Sequence, residues 1–206
     1  MARPSLTKRQ LTGIDRSAGP PPETLKGAPL RPWTIPNVIS YVRMALLPVF
    51  ILLAFDADGR DTTAALLYFA IAWGDQLDGL AARLTGQYSR LGALMDPLTD
   101  RALVLAGVVV CFQFELLPRW ALALLAAREV FMLALSQWGL RKGFDLKINM
   151  VGRWAVWPVM FAIFLTLLVD SWVAEASLYL GIALTLWATV IYVQDGLRFS
   201  KASSST

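Results

Sequence analysis

Histidine is absent from all 206 residues, and cysteine occurs once, as Cys111. The first absence removes an imidazole general base, a Ser-His triad and His-ligated metal chemistry together, and leaves carboxylates as the available proton acceptors. The second excludes an internal disulfide, and Cys111 lies in an apolar run where it reads as a small buried hydrophobe. Charge is also scarce: 17% of residues are Asp, Glu, Lys or Arg, against 56% hydrophobic. With a mean hydropathy of +0.53, the chain is too apolar for a soluble domain and reads as an all-α, polytopic membrane protein.

Residues 1 to 30 are polar, with Gly19-Pro20-Pro21-Pro22 at their centre, and are too hydrophilic for a signal peptide. They form a cytoplasmic arm, in which Glu23–Trp33 is a candidate short helix on the membrane surface. A span needs roughly 20 apolar residues, and six such stretches are expected at about 36–55, 62–85, 90–114, 119–140, 149–169 and 173–196. Residues 1–33 thus make the arm, 34–198 one six-helix membrane domain and 199–206 a disordered tail. Thirteen of the nineteen basic residues fall in the N-terminal arm, the 83–90 turn, the 141–147 loop and the C-terminal end, against only Arg60 and Arg119 on the opposite side. The positive-inside rule then places both termini, and the turn near Gly86-Gln87, in the cytoplasm.

The next two spans carry four acids, Asp75, Asp78, Asp96 and Asp100, where a charge costs roughly 3 kcal/mol or more unless neutralised. Asp75 and Asp78 are three apart, Asp96 and Asp100 four apart, and Gly79 and Gly92 stand one turn from an acid on the same faces. In an antiparallel hairpin about Gly86-Gln87, residues at equal depth have numbers with a constant total. Asp78 with Asp96 gives 174, and Asp75 with Asp100 gives 175. The four carboxylates therefore meet at two matching levels, about 10 Å below the cytoplasmic surface at about 1.5 Å per residue. So many like charges require a cation. All-oxygen ligation points to Mg²⁺ or Mn²⁺ rather than zinc, with two ions.

Such a site would suit chemistry on a lipid diphosphate, and also a cation- or proton-coupled transporter. Transport usually distributes acids across the bilayer or breaks helices, whereas these acids cluster at one depth. The pattern Asp75-x2-Asp78-Gly79-x2-Ala82-Arg83-x8-Gly92-x3-Asp96-x3-Asp100 resembles the complete signature of the CDP-alcohol phosphotransferases, with eight fixed residues over 26 positions. That resemblance implies transfer of a phosphoalcohol from a CDP-linked donor to a hydroxyl, with release of CMP, in a homodimer. It implies metal ligation by Asp75, Asp78, Asp96 and in part Asp100, with Asp100 as the base that deprotonates the acceptor. It also puts Gly79, Ala82, Arg83 and Gly92 with the donor: the glycines admit the nucleotide to the helix backbones, and Arg83 pairs with a phosphate, its alternative being a snorkelling anchor.

The acceptor side rests on other residues. Arg128 lies well inside the fourth span and needs an interior partner. Glu129 is adjacent but about 100° away around the helix, so an acceptor phosphate is the better partner, joined by Arg153; a structural ion pair is the alternative for each. Arg43 and Arg101 read as ties between helices or headgroup contacts. The opening Thr34-Ile-Pro-Asn37-Val-Ile-Ser-Tyr-Val-Arg43, the run Leu91–Arg101 and the pair Arg128-Glu129 resemble bacterial phosphatidylglycerophosphate synthases and cardiolipin synthases. The donor implied is CDP-diacylglycerol, and the acceptor is glycerol 3-phosphate or phosphatidylglycerol, with inositol phosphate as a less fitting alternative. Where many glycerophosphate-using relatives have Gly-Lys-x-Lys-Thr, this chain has Val151-Gly152-Arg153-Trp154-Ala155. Loss of one cation favours the lipid acceptor. No feature points to nucleic acid, and the expected location is the cytoplasmic membrane.

Overall fold

Thr34 starts the first helix as its N-cap: its hydroxyl accepts a hydrogen bond from the Asn37 N–H at 3.4 Å. The side-chain carbonyl of Gln87 accepts one from the Ile35 N–H at 3.0 Å, so two of the open N–H groups at this end are satisfied. In the computed structural model this helix, α1, spans Ile35–Asp56, followed by α2 (Thr62–Thr85), α3 (Arg90–Gln113), α4 (Arg119–Arg141), α5 (Met150–Leu168) and α6 (Trp172–Ser203). The structure describes residues 31–141 and 150–203, apart from the side chains at 93–94, 136–141, 150–154 and 195–203. Among the described residues there is no strand.

The six helices fall on the six expected stretches, and local chemistry sets their ends. Asp61 caps α2 through its carboxylate, which accepts from the Ala64 N–H at 2.7 Å. Ser89 caps α3 in the same way, accepting from the Gly92 N–H at 2.9 Å. Gly86 closes α2 with φ +62°, in the left-handed region where glycine has no side chain to clash. The expected surface helix at Glu23–Trp33 lies outside the described residues except for 31–33, which are irregular, and most of the 141–148 loop lies outside them too. At the other end α6 runs to Ser203, past the expected end of its span at 196.

Among the described residues two helical stretches, Ile35–Asp56 and Trp172–Gln194, are long and apolar enough to cross a membrane by length and composition. Of the helices between them, α2 holds Asp75, Asp78 and Arg83, and α3 holds Arg90, Asp96, Asp100 and Arg101.

The described residues divide into two compact units, one drawn from 31–50 and Leu67–Leu103, the other from Ile51–Leu66 and the described residues from Val104 onward. In the first, Phe50 packs on Tyr68 with ring centroids 5.2 Å apart, and Leu103 is fully buried. In the second, α5 packs along α6. There a Cβ added at Gly181 would stand 2.9 Å from the Val159 backbone nitrogen, so only glycine permits that approach. Thr166 ties α5 to the α3–α4 turn by donating to the Leu116 carbonyl at 3.1 Å.

Candidate active site

Asn37, Ser40 and Arg43 recur every third residue along α1 and are 1%, 1% and 3% exposed. They line one face of that helix. In the first unit this polar face meets the acids of α2 and α3. The Arg43 guanidinium donates to Asp78 at 2.9 Å and to Asp100 at 3.1 Å, and its Nη1 lies 3.7 Å from Asp75. Its Nε donates to the Ile71 backbone carbonyl at 2.9 Å. Ser40 adds a hydroxyl donor to Asp78 at 3.4 Å. Asp96 stands one turn before Asp100 on α3.

Three of the four acids, Asp75, Asp78 and Asp100, thus gather around a cation supplied by the chain itself. Of the two roles expected for Arg43, the helix tie is the one found. At 3% exposure it meets no headgroup, because burial beside three carboxylates leaves it nothing to gain from the surface. Among the described residues no three acids stand close enough together to form a ready metal shell, since the guanidinium lies between Asp78 and Asp100. The donor set nevertheless suits a hard divalent ion. One guanidinium against four carboxylates leaves three negative charges, and the Asp75 and Asp100 side chains remain 34% and 38% exposed.

Around the acids, the motif's small residues differ in what they face. Among the described residues an added Cβ at Gly79 would meet only the Arg83 guanidinium, 3.5 Å away, so they leave this face of α2 open. Among the described residues the buried Arg83 Nε has no hydrogen-bond partner, the arrangement of a cation awaiting an anion. Ala82 is half-buried on the same turn. At Gly92 an added Cβ would stand 2.7 Å from the Asn37 side-chain oxygen and 3.1 Å from the Ser89 hydroxyl.

The residues expected to take the acceptor lie in the second unit. Arg128 donates to the Thr189 hydroxyl at 3.0 Å and the Thr185 carbonyl at 3.3 Å, and pairs tightly with Glu129. Glu129, expected to be an imperfect partner, is the one found, so the structural ion pair, the alternative for Arg128, is formed. Adjacent residues point about 100° apart, but both side chains are long enough to fold toward one another, and burial rewards the pairing. Arg153 is on α5, and its side chain is outside the described residues.

Residues 33–187 match the family model for CDP-alcohol phosphatidyltransferase. The chain belongs to that family. It is accordingly an enzyme, a CDP-alcohol phosphatidyltransferase. Among its relatives, the cardiolipin synthase (CMP-forming) of Streptomyces coelicolor is 34% identical over 173 residues, covering 81% of this chain and 80% of the relative. The CDP-diacylglycerol–glycerol-3-phosphate 3-phosphatidyltransferases of Bacillus subtilis and Escherichia coli are 27% and 29% identical, each across 78% of this chain and 89% and 93% of their own lengths.

Proposed function

We propose that this enzyme transfers the phosphatidyl group of CDP-diacylglycerol to the free hydroxyl of phosphatidylglycerol, giving cardiolipin and CMP. The observations that carry the reading are the gathering of Asp75, Asp78 and Asp100 around one buried cation and, further along α2, Arg83, whose Nε has no partner among the described residues. This arrangement offers surplus negative charge for divalent ions and a free donor for a phosphate. Asp75, Asp78, Asp96 and Asp100 would hold the ions, Mg²⁺ or Mn²⁺ and two in number. Bound ions supply positive charge to the phosphoryl oxygens of the donor. Arg83 then orients the diphosphate, the open face at Gly79 admits the nucleotide, and Gly92 and Ala82 complete the donor's side. Asp100, partly exposed, takes the proton of the attacking hydroxyl.

The lipid acceptor is supported by the single cation at 151–155 and by the cardiolipin synthase that aligns at 34% identity. Glycerol 3-phosphate is the second reading, favoured by the names of the relatives from Bacillus subtilis and Escherichia coli. For either acceptor Arg128 and Arg153 remain the candidate contacts, with Arg128 exchanging the Thr189 hydroxyl for an acceptor oxygen. We place all six helices across the cytoplasmic membrane, as one domain over residues 34–198, with both termini and the acids on the cytoplasmic side. In support, every helix exposes large apolar side chains, among them Leu52, Leu66, Val109, Phe131, Phe161 and Leu180, and Trp33, Trp120 and Trp172 lie near helix ends where interfacial aromatics belong.

A product assay tests this directly. Purified enzyme is given CDP-diacylglycerol with Mg²⁺ or Mn²⁺, and phosphatidylglycerol and glycerol 3-phosphate side by side. Cardiolipin and equimolar CMP are expected, phosphatidylglycerophosphate as sole product would move the assignment to the second reading, and no CMP with either acceptor would sink both.

A further inference from the structure

We propose that Arg43 is the resident counter-cation of the acidic cluster: it holds Asp78 and Asp100 together while no divalent ion is bound, and competes with such an ion for them. This rests on the metal reading above.

The position of Arg43 is built into its neighbours. A Cβ at Gly74 would stand 2.8 Å from the Arg43 Cδ and 3.1 Å from its Cγ and Nε, so α2 is notched where the arginine stem passes. The Ile71 carbonyl fixes the Nε at 2.9 Å. The plane of the guanidinium is thereby set, and its two remaining nitrogens are delivered to carboxylates on different helices, Asp78 on α2 and Asp100 on α3. A surface arginine making a chance ion pair has neither the notch nor the backbone anchor.

Charge decides what the pairing does. Without Arg43, four buried or half-buried acids would repel one another and the α2–α3 pair would splay whenever metal is absent. One guanidinium lowers that repulsion but leaves three of the four negative charges uncompensated, so attraction for a divalent ion persists. The Asp78 and Asp100 oxygens that face the guanidinium already accept from it, and a metal that would claim them must displace it or work against its charge. Metal-free chain is thus kept assembled at the cost of weaker metal binding.

The test uses the full chain in detergent, with Mn²⁺ binding followed by electron paramagnetic resonance and melting followed in EDTA and in saturating Mn²⁺. Arg43→Gln is expected to bind Mn²⁺ at least about threefold more tightly than the unaltered chain, and to lose more melting temperature in EDTA than in Mn²⁺. Gly74→Ala keeps every charge but pushes the stem off its notch, and should move both readouts in the same direction. Unchanged or weaker Mn²⁺ binding in both variants, or equal melting losses in EDTA and Mn²⁺, would overturn the proposal while leaving the metal reading in place. Absence of Mn²⁺ binding by the unaltered chain would overturn the two together.

Discussion

The side-chain oxygen of Asn37 stands 2.7 Å from where a Cβ on Gly92 would be. That oxygen accepts from the Ser89 hydroxyl at 2.8 Å, while the Asn37 amide donates to the Arg31 and Pro32 carbonyls at 3.0 and 3.2 Å. A buried side chain so fully satisfied resists displacement. Gly92 therefore makes room for Asn37 whether or not it also admits the donor.

Gly92→Ala is accordingly expected to lower stability by roughly 1–3 kcal/mol, the usual cost of overpacking a tight contact. The severest clash is with the Asn37 side chain, the Ser89 hydroxyl at 3.1 Å being the milder one, so Gly92→Ala in an Asn37→Ala background should lose clearly less melting temperature than it does alone. A full additive loss in the double variant would show that something other than Asn37 confines Gly92. A raised KM for CDP-diacylglycerol that survives in the double variant would assign Gly92 to the donor as well.

Asp100→Asn keeps the shape and an oxygen that can still face Arg43, but loses the charge and the ability to take a proton. CMP release from CDP-diacylglycerol should fall by about 10²-fold or more, with melting little changed. Activity within tenfold of the unaltered enzyme would remove Asp100 from the role of base.

How much of this was visible in the chain depends on the kind of information. Helix positions were legible because apolar runs are separated by short stretches rich in Asp, Gly and Pro, and Thr62–Thr85 was placed to the residue. The turn at Gly86 was legible for the same reason, and φ +62° there fulfils it. The destination of Arg43 was not, because a sequence gives the face of a helix and not the neighbour that face will meet. The signal was available in part: Asn37, Ser40 and Arg43 mark one polar stripe in an otherwise apolar helix. The Arg128–Glu129 pair is not legible in the sequence because direction at Cβ does not decide where two side chains several bonds long end.

The Arg128–Glu129 pair carries a separate expectation. Arg128→Met takes the guanidinium from a carboxylate that is 5% exposed, and should cost roughly 3 kcal/mol or more. Arg128→Met with Glu129→Gln removes both charges and should recover much of that loss. If Arg128 also holds the acceptor, the double variant will be stable yet show a raised KM for phosphatidylglycerol with the donor KM unchanged. An acceptor KM equal to that of the unaltered enzyme would confine Arg128 to its structural pair.

Orientation can be read with cysteine labelling, because Cys111, the sole cysteine, is 0% exposed and should contribute no background. Ala57 is exposed in the turn between α1 and α2, on the side that carries Arg60 and few other basic residues. Ser5 belongs to the basic N-terminal arm. With both termini in the cytoplasm, a membrane-impermeant maleimide added to intact cells should label Ala57→Cys and leave Ser5→Cys untouched until the membrane is opened. The reverse pattern would put the acids at the outer surface, out of reach of a cytosolic nucleotide, and would contradict the assigned donor as well as the topology.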